Sequence, residues 1–87
     1  MNEHDEGGST RVALHGAATF VGLTRLNAVL EKQPSNRPVH LDLESVKAID
    51  HTTAETLSEW ISRRRQGGQN DRVTGPDAIL RPLPVAV

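Results

Sequence analysis

The fold of this chain is decided by residues 39–57, which read VHLDLESVKAIDHTTAETL. Residues 39–43 alternate between apolar and polar side chains, the pattern of a strand with one buried face and one wet or functional face. Residues 46–49 continue the chain to a polar run, 50–53, and a pattern with helical periodicity follows directly. The stretch therefore predicts a strand, a polar connection and an amphipathic helix in succession.

The predicted helix after this connection has a marked start and end. Its apolar stripe falls at the spacing i, i+3, i+6 and i+7 and consists of Ala54, Leu57, Trp60 and Ile61. Thr52 and Glu55 have the spacing of a capping box, with Asp50 and Thr53 as alternative caps. The arginines at 63–65 suit the negative end of the helix dipole, and we interpret them as a solvated last turn.

The rest of the chain predicts a regular alternation of strands and helices. Residues 11–15 alternate like a short strand, and residues 19–32 carry a helical stripe before a proline-containing breaker at 33–38. Residues 72–74 are predicted as a third strand. This order predicts an α/β fold, a small βαβαβ open sheet of parallel strands with helices packed on it. In such sheets the loops at the carboxyl ends of the strands lie together, and residues 44–53 are the longest polar connection there.

The two ends of the chain predict no regular element. Residues 1–9 are polar and acidic and end in Gly-Gly-Ser, so we interpret them as a flexible leader. Residues 10–75 form the predicted domain. Residues 76–87 are apolar but contain Pro82 and Pro84, which disfavour the interior of a strand or helix, so we expect an extended, proline-containing tail.

Composition excludes several classes of protein. The chain has no cysteine, which excludes disulfides, thiolate metal sites and thiol nucleophiles and fits a reducing, cytoplasmic environment. Ten basic and eleven acidic residues give a formal charge of −1, so no overall field attracts nucleic acid or an anionic membrane. No run approaches the roughly 18 apolar residues of a spanning helix. At 87 residues one hydrophobic core is expected, and a dimer or neighbouring domain would help to cover it.

The side chains capable of chemistry do not form an enzyme-like pattern. The chain's histidines have no metal-ligand spacing, so no metal and no cofactor is predicted; they are His4, His15, His40 and His51. Asp42 and Asp50 lie on different predicted elements, with no nucleophile and no phosphate-binding glycine loop, so no catalytic residue and no enzyme is predicted. Trp60 shares the stripe of its helix and is interpreted as core.

The start of the second helix is the best candidate for a binding surface. Its first turns carry short polar side chains at the positive end of the helix dipole, where a partner backbone or an anion can bind. The predicted partner-binding or regulatory edge consists of Asp50, His51, Thr52, Thr53, Glu55, Thr56 and Glu59.

Three segments of the sequence resemble a STAS domain. They are residues 14–20, reading LHGAATF, residues 39–43, and above all residues 48–57, reading AIDHTTAETL. The family includes the cytoplasmic C-terminal domains of SulP-type sulfate and anion permeases and the bacterial anti-sigma-factor antagonists. The resemblance covers about residues 11–73. It implies a STAS-like fold that is minimal or truncated at both ends, because the family's N-terminal strand and last helix have no counterpart in the predicted elements.

The resemblance also bears on regulation. Antagonists of this family are phosphorylated on a serine that follows an aspartate, and by that register Asp50 matches the aspartate and His51 occupies the serine position. Thr52 matches the next hydroxyl residue, Thr53 replaces a glycine and Ala54 matches an apolar residue. The usual phosphoacceptor is therefore missing, with Thr52 or Thr53 as the substitute. A histidine at this position, after GAATF, looks like the bacterial anion permeases.

The function implied by the resemblance is a non-enzymatic, cytosolic regulatory or protein-interaction domain of a sulfate-type anion transporter. The expected partner is the transporter's membrane domain, a second copy of the chain in a homodimer, or another cytosolic protein, and contact with a membrane is expected only through a parent transporter. Two alternatives stay open. One is a stand-alone antagonist-like partner switch phosphorylated on Thr52 or Thr53, and the other is a domain that weakly binds a small anion or a nucleotide.

Overall fold

The computed structural model describes residues 1–34 and 36–84, with only the backbone of Phe20. The strands are β1 (Asn2–Asp5), β2 (Thr10–Ala18), β3 (Val39–Ile49) and β4 (Arg72–Thr74), and the helices are α1 (Leu23–Glu31), α2 (His51–Gln66) and α3 (Asp77–Leu80). A 3₁₀ turn, Phe20–Gly22, leads into α1. Ser35 of the predicted breaker and residues 85–87 of the predicted tail lie outside the described residues.

The sheet is mixed and has the strand order β1-β2-β3-β4. Strands β2, β3 and β4 are parallel, whereas β1 pairs antiparallel with β2. Because β2, β3 and β4 lie side by side in chain order, right-handed crossovers place α1 and α2 on the same face. A hydrogen bond between the helices agrees with this, since Trp60 Nε1 donates to the Leu30 carbonyl oxygen at 3.3 Å. The predicted α/β class, with helices packed on a small sheet, is confirmed.

The core lies between the inner face of β2 and β3 and the two long helices. Its completely buried side chains come from all four of these elements and include Val12, Leu30, Val39, Leu41, Leu43 and Leu57. Burial of each such side chain contributes about 1.5–3 kcal/mol relative to exposure. Trp60 is 4% exposed and belongs to this core. The aliphatic side chains of the central strand therefore connect both helices to the sheet.

Strand β3 is longer than predicted because it contains bulges. Its register with β2 shifts between Ala13 and His15, and again between Gly16 and Ala17, so β3 accommodates extra residues. Because of the bulges, the next side chain after Leu43 on the inner face of β3 is that of Val46, which is 3% exposed. Residues 44–49 therefore belong to the strand, and the prediction of a polar connection over 44–53 was wrong there. The polar side chains of residues 44–47 suggested a loop, but they occupy outward-facing positions of a paired strand, which can face solvent.

Residues 2–5 form an edge strand, where the sequence predicts part of a flexible leader. Strand β1 pairs with β2 along its whole length, although its four side chains are exposed. Arg37 reinforces the following turn by donating to the carbonyl oxygens of Gly7 and Ser9, each at 3.0 Å, and to the Asp5 carboxylate. The polar composition of residues 1–9 indicates only that their side chains are not buried. Strand β1 is held by backbone hydrogen bonds to β2, which composition does not reveal.

The predicted extended tail also differs from the structure. Asp77–Leu80 forms a helical turn, and Ile79 and Leu83 are each 6% exposed within the core. Pro76 stands at the cap of this turn, where a missing N–H costs nothing. The chain approaches the sheet closely just before it, since a Cβ added to Gly75 would lie 2.9 Å from the Leu43 Cβ.

Arg64 is buried, which corrects the prediction that all three arginines form a solvated turn. Its side chain is 9% exposed and that of Asp71 is 11% exposed. Arg64 Nε donates to Asp71 Oδ2 at 2.6 Å, and Nη2 donates to Asp71 Oδ1 at 2.9 Å. This bidentate pair, here called the Arg64–Asp71 clamp, joins the end of α2 to the segment that enters β4. Arg63 and Arg65 are exposed, as predicted.

The clamp also holds the amino ends of the parallel strands. Arg64 donates to the carbonyl oxygens of Pro34 at 2.9 Å and Arg37 at 2.7 Å. Asp71 Oδ1 accepts from the Val39 N–H at 2.8 Å, at the first residue of β3. These hydrogen bonds compensate Arg64 and Asp71 for the loss of water around their charges. Removing one of the two side chains would leave the charge of the other buried and unpaired.

We expect Arg64→Met and Asp71→Asn each to lower the free energy of unfolding by about 3–5 kcal/mol, because each leaves a buried polar group unpaired. Urea denaturation followed by circular dichroism measures this loss. Arg65→Met is the matched control and should change stability by less than about 0.5 kcal/mol. Equal effects at positions 64 and 65 would contradict a structural role for the clamp.

A second ion pair lies on the opposite face of the sheet. Asp42 is 8% exposed at its side chain and accepts from Arg11 Nε at 3.0 Å and from the Glu44 N–H at 2.9 Å. The Arg11 hydrogen bond, followed by that of the Glu44 backbone, holds the pKa of Asp42 below its usual value. The stabilisation that the ionised Asp42 provides is therefore complete above the pKa that this carboxyl has in the unfolded chain. It is lost as the pH falls through the lower pKa that the same carboxyl has in the folded chain.

We expect the stability of the wild-type chain to fall as the pH drops below about 4, the ordinary range of an aspartate, with a component that Asp42→Asn removes. Urea titrations across this pH range measure it. Asp77→Asn, at an exposed carboxylate, should keep the acid-dependent component. An unchanged acid dependence in Asp42→Asn would show that the Arg11 contact does not couple protonation to folding.

Candidate functional site

The candidate site lies where β2 and β3 end and α1 and α2 begin. Asp50 connects these elements, because its N–H donates to the Ala18 carbonyl oxygen at 3.1 Å. Its Oδ1 accepts from the Thr53 N–H at 2.9 Å, so Asp50 is the N-cap of α2. Of the caps predicted, Asp50 is the one found, and Thr52 lies inside the first turn instead of forming a capping box.

The predicted edge of α2 divides into exposed and interior positions. His51, Thr52, Glu55 and Glu59 are exposed, Asp50 and Thr56 are partly buried, and Thr53 is 1% exposed. Thr53 is interior because it precedes Leu57 by four residues and shares the core-facing side of the helix. The edge that a partner can reach is therefore narrower than the predicted one. We call His51, Thr52, Glu55 and Glu59 the outer edge.

The burial of Thr53 also decides between the two substitute phosphoacceptors. A kinase cannot reach its hydroxyl in the folded chain, so the interpretation of Thr53 as an acceptor does not fit the structure. Thr52 is exposed. Beside it, His51 Nε2 contacts Glu55 Oε1 across one helical turn, with both side chains largely in solvent. Such an exposed pair contributes little to stability and leaves both groups available to a partner.

An open groove of about 550 Å³ continues from the outer edge onto α1. It is lined from α2 by Thr56, Glu59 and Arg63, and from α1 by polar side chains that include Thr24, Asn27 and Glu31. Arg63 Nη2 donates to Glu31 Oε1 at 2.9 Å across the groove. The contribution of α1 could not be predicted from the sequence, because contact between the two helices depends on the sheet that carries both.

A smaller inner cavity of about 200 Å³ lies on the other side of the α2 start. Its lining includes the buried residues Leu14, Leu26 and Thr53 and the exposed residues His15 and Arg25. Thr53 Oγ1 is the buried side-chain polar atom without a hydrogen-bond partner among the described residues. Arg25 was not among the predicted site residues, because its position in the sequence of α1 gives no sign of a cavity.

The described residues contain neither a cluster that could hold a metal ion nor a helix that could span a membrane. Over 1–34 and 36–84, no group of three or more His, Cys, Asp and Glu residues could hold a metal ion. In the same part of the chain, no helix has the length and apolar character needed to cross a membrane.

We expect Thr53→Val to raise the free energy of unfolding by about 1 kcal/mol, because it removes an unpaired buried hydroxyl while keeping the shape of the side chain. Urea denaturation measures the change. Thr56→Val, at a partly buried position of the same helix, is the control and should stay within about 0.5 kcal/mol of wild type. A loss of stability in Thr53→Val would show that the hydroxyl is hydrogen-bonded in solution.

No protein-family model and no curated protein matches the chain. Several solved structures share the fold, among them three crystal structures of a protein named Mglu. One matches with 25% identity and a TM-score of 0.77, covering 87% of this chain. A native form in 4.3 M NaCl matches with 18% identity and a TM-score of 0.78, covering 90%. An L-glutamate binding form matches with 19% identity and a TM-score of 0.64, again covering 90%.

These matches establish the α/β fold of the chain. The chain spans only 19%, 26% and 27% of the lengths of the three Mglu chains, respectively. The module seen here is thus similar to a minor part of a larger protein in each case.

Proposed function

We propose that this chain is a STAS-like, non-enzymatic regulatory domain of a sulfate-type anion transporter and binds a protein partner through the outer edge of α2. The observation that carries the proposal is that four residues of the predicted partner-binding edge are exposed, whereas Thr53 is buried. His51 and Thr52 lie exposed just after the carboxyl end of β3, where open α/β sheets usually carry their sites, and the exposed Glu55 and Glu59 continue this edge along α2. The resemblance of residues 48–57 to STAS domains supplies the family.

The charge of this surface favours a basic partner. Glu55 and Glu59 are exposed, and Glu31 lies across the groove with Arg63 as its counter-ion. Cytoplasmic loops of membrane proteins carry an excess of Lys and Arg, so the cytosolic face of a transporter has the complementary charge. A second copy of this chain would instead bring two acidic edges together. We therefore favour the transporter's membrane domain as the partner over a homodimer.

The first alternative, an antagonist-like partner switch, now depends on Thr52. It would require a cognate kinase to phosphorylate this exposed hydroxyl, one position after His51 and three positions before Glu55. Incubation with candidate kinases followed by phosphopeptide mass spectrometry separates the two functions. Stoichiometric phosphate on Thr52 that controls partner binding would replace the transporter proposal with the switch.

We expect the chain to bind the membrane domain of a SulP-type permease from which the STAS domain has been removed. The affinity should fall as the ionic strength rises. Biolayer interferometry with the permease in nanodiscs measures this affinity. Glu55→Lys combined with Glu59→Lys should weaken binding about tenfold or more, because two complementary contacts become repulsive.

The charge-matched control is Glu44→Lys combined with Asp77→Lys, which reverses two exposed carboxylates away from the outer edge. Its affinity should stay within about twofold of wild type. Absence of binding, or equal weakening by both double variants, would contradict the proposal. A dimer in sedimentation equilibrium that the edge variant dissociates would assign the outer edge to a second copy instead.

A further inference from the structure

We propose that His40 is a proton-controlled switch, which binds Arg72 of β4 when the ring is neutral and Glu6 of the turn between β1 and β2 when it is protonated. The His40 side chain is 13% exposed and lies near the amino end of β3, on the face of the sheet opposite α1 and α2. The outer edge of α2 begins beyond the other end of β3. The switch is therefore separate from the proposed partner surface and adds a response to pH.

The contacts of His40 determine which ring nitrogen carries the proton of the neutral imidazole. Arg72 Nη2 lies 3.3 Å from His40 Nδ1. An arginine side chain has only N–H donors, so Nδ1 is the acceptor and the proton of the neutral ring lies on Nε2. This Nε2–H donates to Thr74 Oγ1 at 2.8 Å. Both nitrogens of the neutral ring thus bind side chains of β4.

A second proton on the ring changes the partner of Nδ1. Both nitrogens of a protonated imidazole are donors, so Nδ1 can no longer accept from Arg72, and the two cations repel each other. Glu6 Oε1 lies 3.8 Å from the same nitrogen and is placed to accept from the new N–H. Thr74 continues to accept from Nε2–H. Protonation therefore transfers Nδ1 from β4 to the turn that contains Glu6.

The charged groups around His40 leave Glu6 and Arg72 as the two that respond. Arg11 is the partner of His40 in the pairing of β2 with β3, and Asp42 lies within electrostatic reach of the ring. Arg11 Nε donates to the Asp42 carboxylate at 3.0 Å, so these two charges already compensate each other. Glu6 and Arg72 are exposed and line an open cleft of about 280 Å³ with His40, which gives both side chains room to move.

The test is an NMR titration of the ¹⁵N-labelled full chain from about pH 8 to about pH 5, the range in which histidines ordinarily change charge. At the upper end, long-range ¹H–¹⁵N correlations should show His40 as the Nε2–H tautomer, and Arg72→Met should weaken this preference. On acidification, the amide signals of Gly7 and Gly8, which follow Glu6, should shift in step with the His40 ring.

Matched variants separate this response from other titrations. His40→Gln should abolish the shift of the two glycine amides, whereas His4→Gln, at an exposed histidine two residues before Glu6, should keep it. Glu6→Ala removes the acceptor and should also abolish the shift. Glu44→Ala removes an exposed carboxylate outside the turn and should leave the shift unchanged.

Three results would overturn the inference. They are the Nδ1–H tautomer of His40 at the upper end of the titration, a glycine response that persists in His40→Gln, and a full response in Glu6→Ala. None of them involves a protein partner, so failure here leaves the transporter proposal standing, and failure of permease binding leaves the switch standing.

Discussion

The pairing of β3 between β2 and β4 is the constraint on which the rest of this structure depends. The inner face of β3 carries Val39, Leu41, Leu43 and Val46, each 3% exposed or less. A chain of 87 residues has little other apolar surface with which to hold two helices. Because β2, β3 and β4 are parallel neighbours, both crossover helices must pack on this one face. The position of α2, and with it the candidate site, follows from β3.

The two ends of β3 are fixed by different chemistry. At the amino end, the Arg64–Asp71 clamp makes buried, charge-assisted hydrogen bonds to the loop before the strand and to its first residue. At the carboxyl end, Asp50 caps α2 and bonds to β2 through its backbone. The clamp closes one end of the sheet. The cap needs only backbone groups and one carboxylate, so it leaves an exposed helix edge on one side and a cavity on the other.

Much of this arrangement could be predicted from periodicity. The alternation of 39–43, the stripe through Leu57 and Trp60, and the strand at 72–74 are local patterns, and each predicted its element. Strand β1 could not be predicted in this way, because it buries no side chain. The burial of Arg64 was missed because its acceptors come from two separate loops, the one before β3 and the one before β4. The position of Thr53 one turn before Leu57 was a usable signal for burial, whereas the adjoining cavity and Arg25 depend on how α1 packs. The STAS-like function stays a proposal.

Native-state hydrogen exchange across a urea series tests the central role of β3 most directly. If β3 holds the structure together, amides of residues 40–43 exchange only through global unfolding, with the full free energy and full urea dependence of the whole chain. Amides of the exposed edge strand β1 should exchange earlier, through local opening that is nearly independent of urea. Exchange of 40–43 through local opening, at or below the free energy of β1, would contradict the claim that β3 holds the structure together.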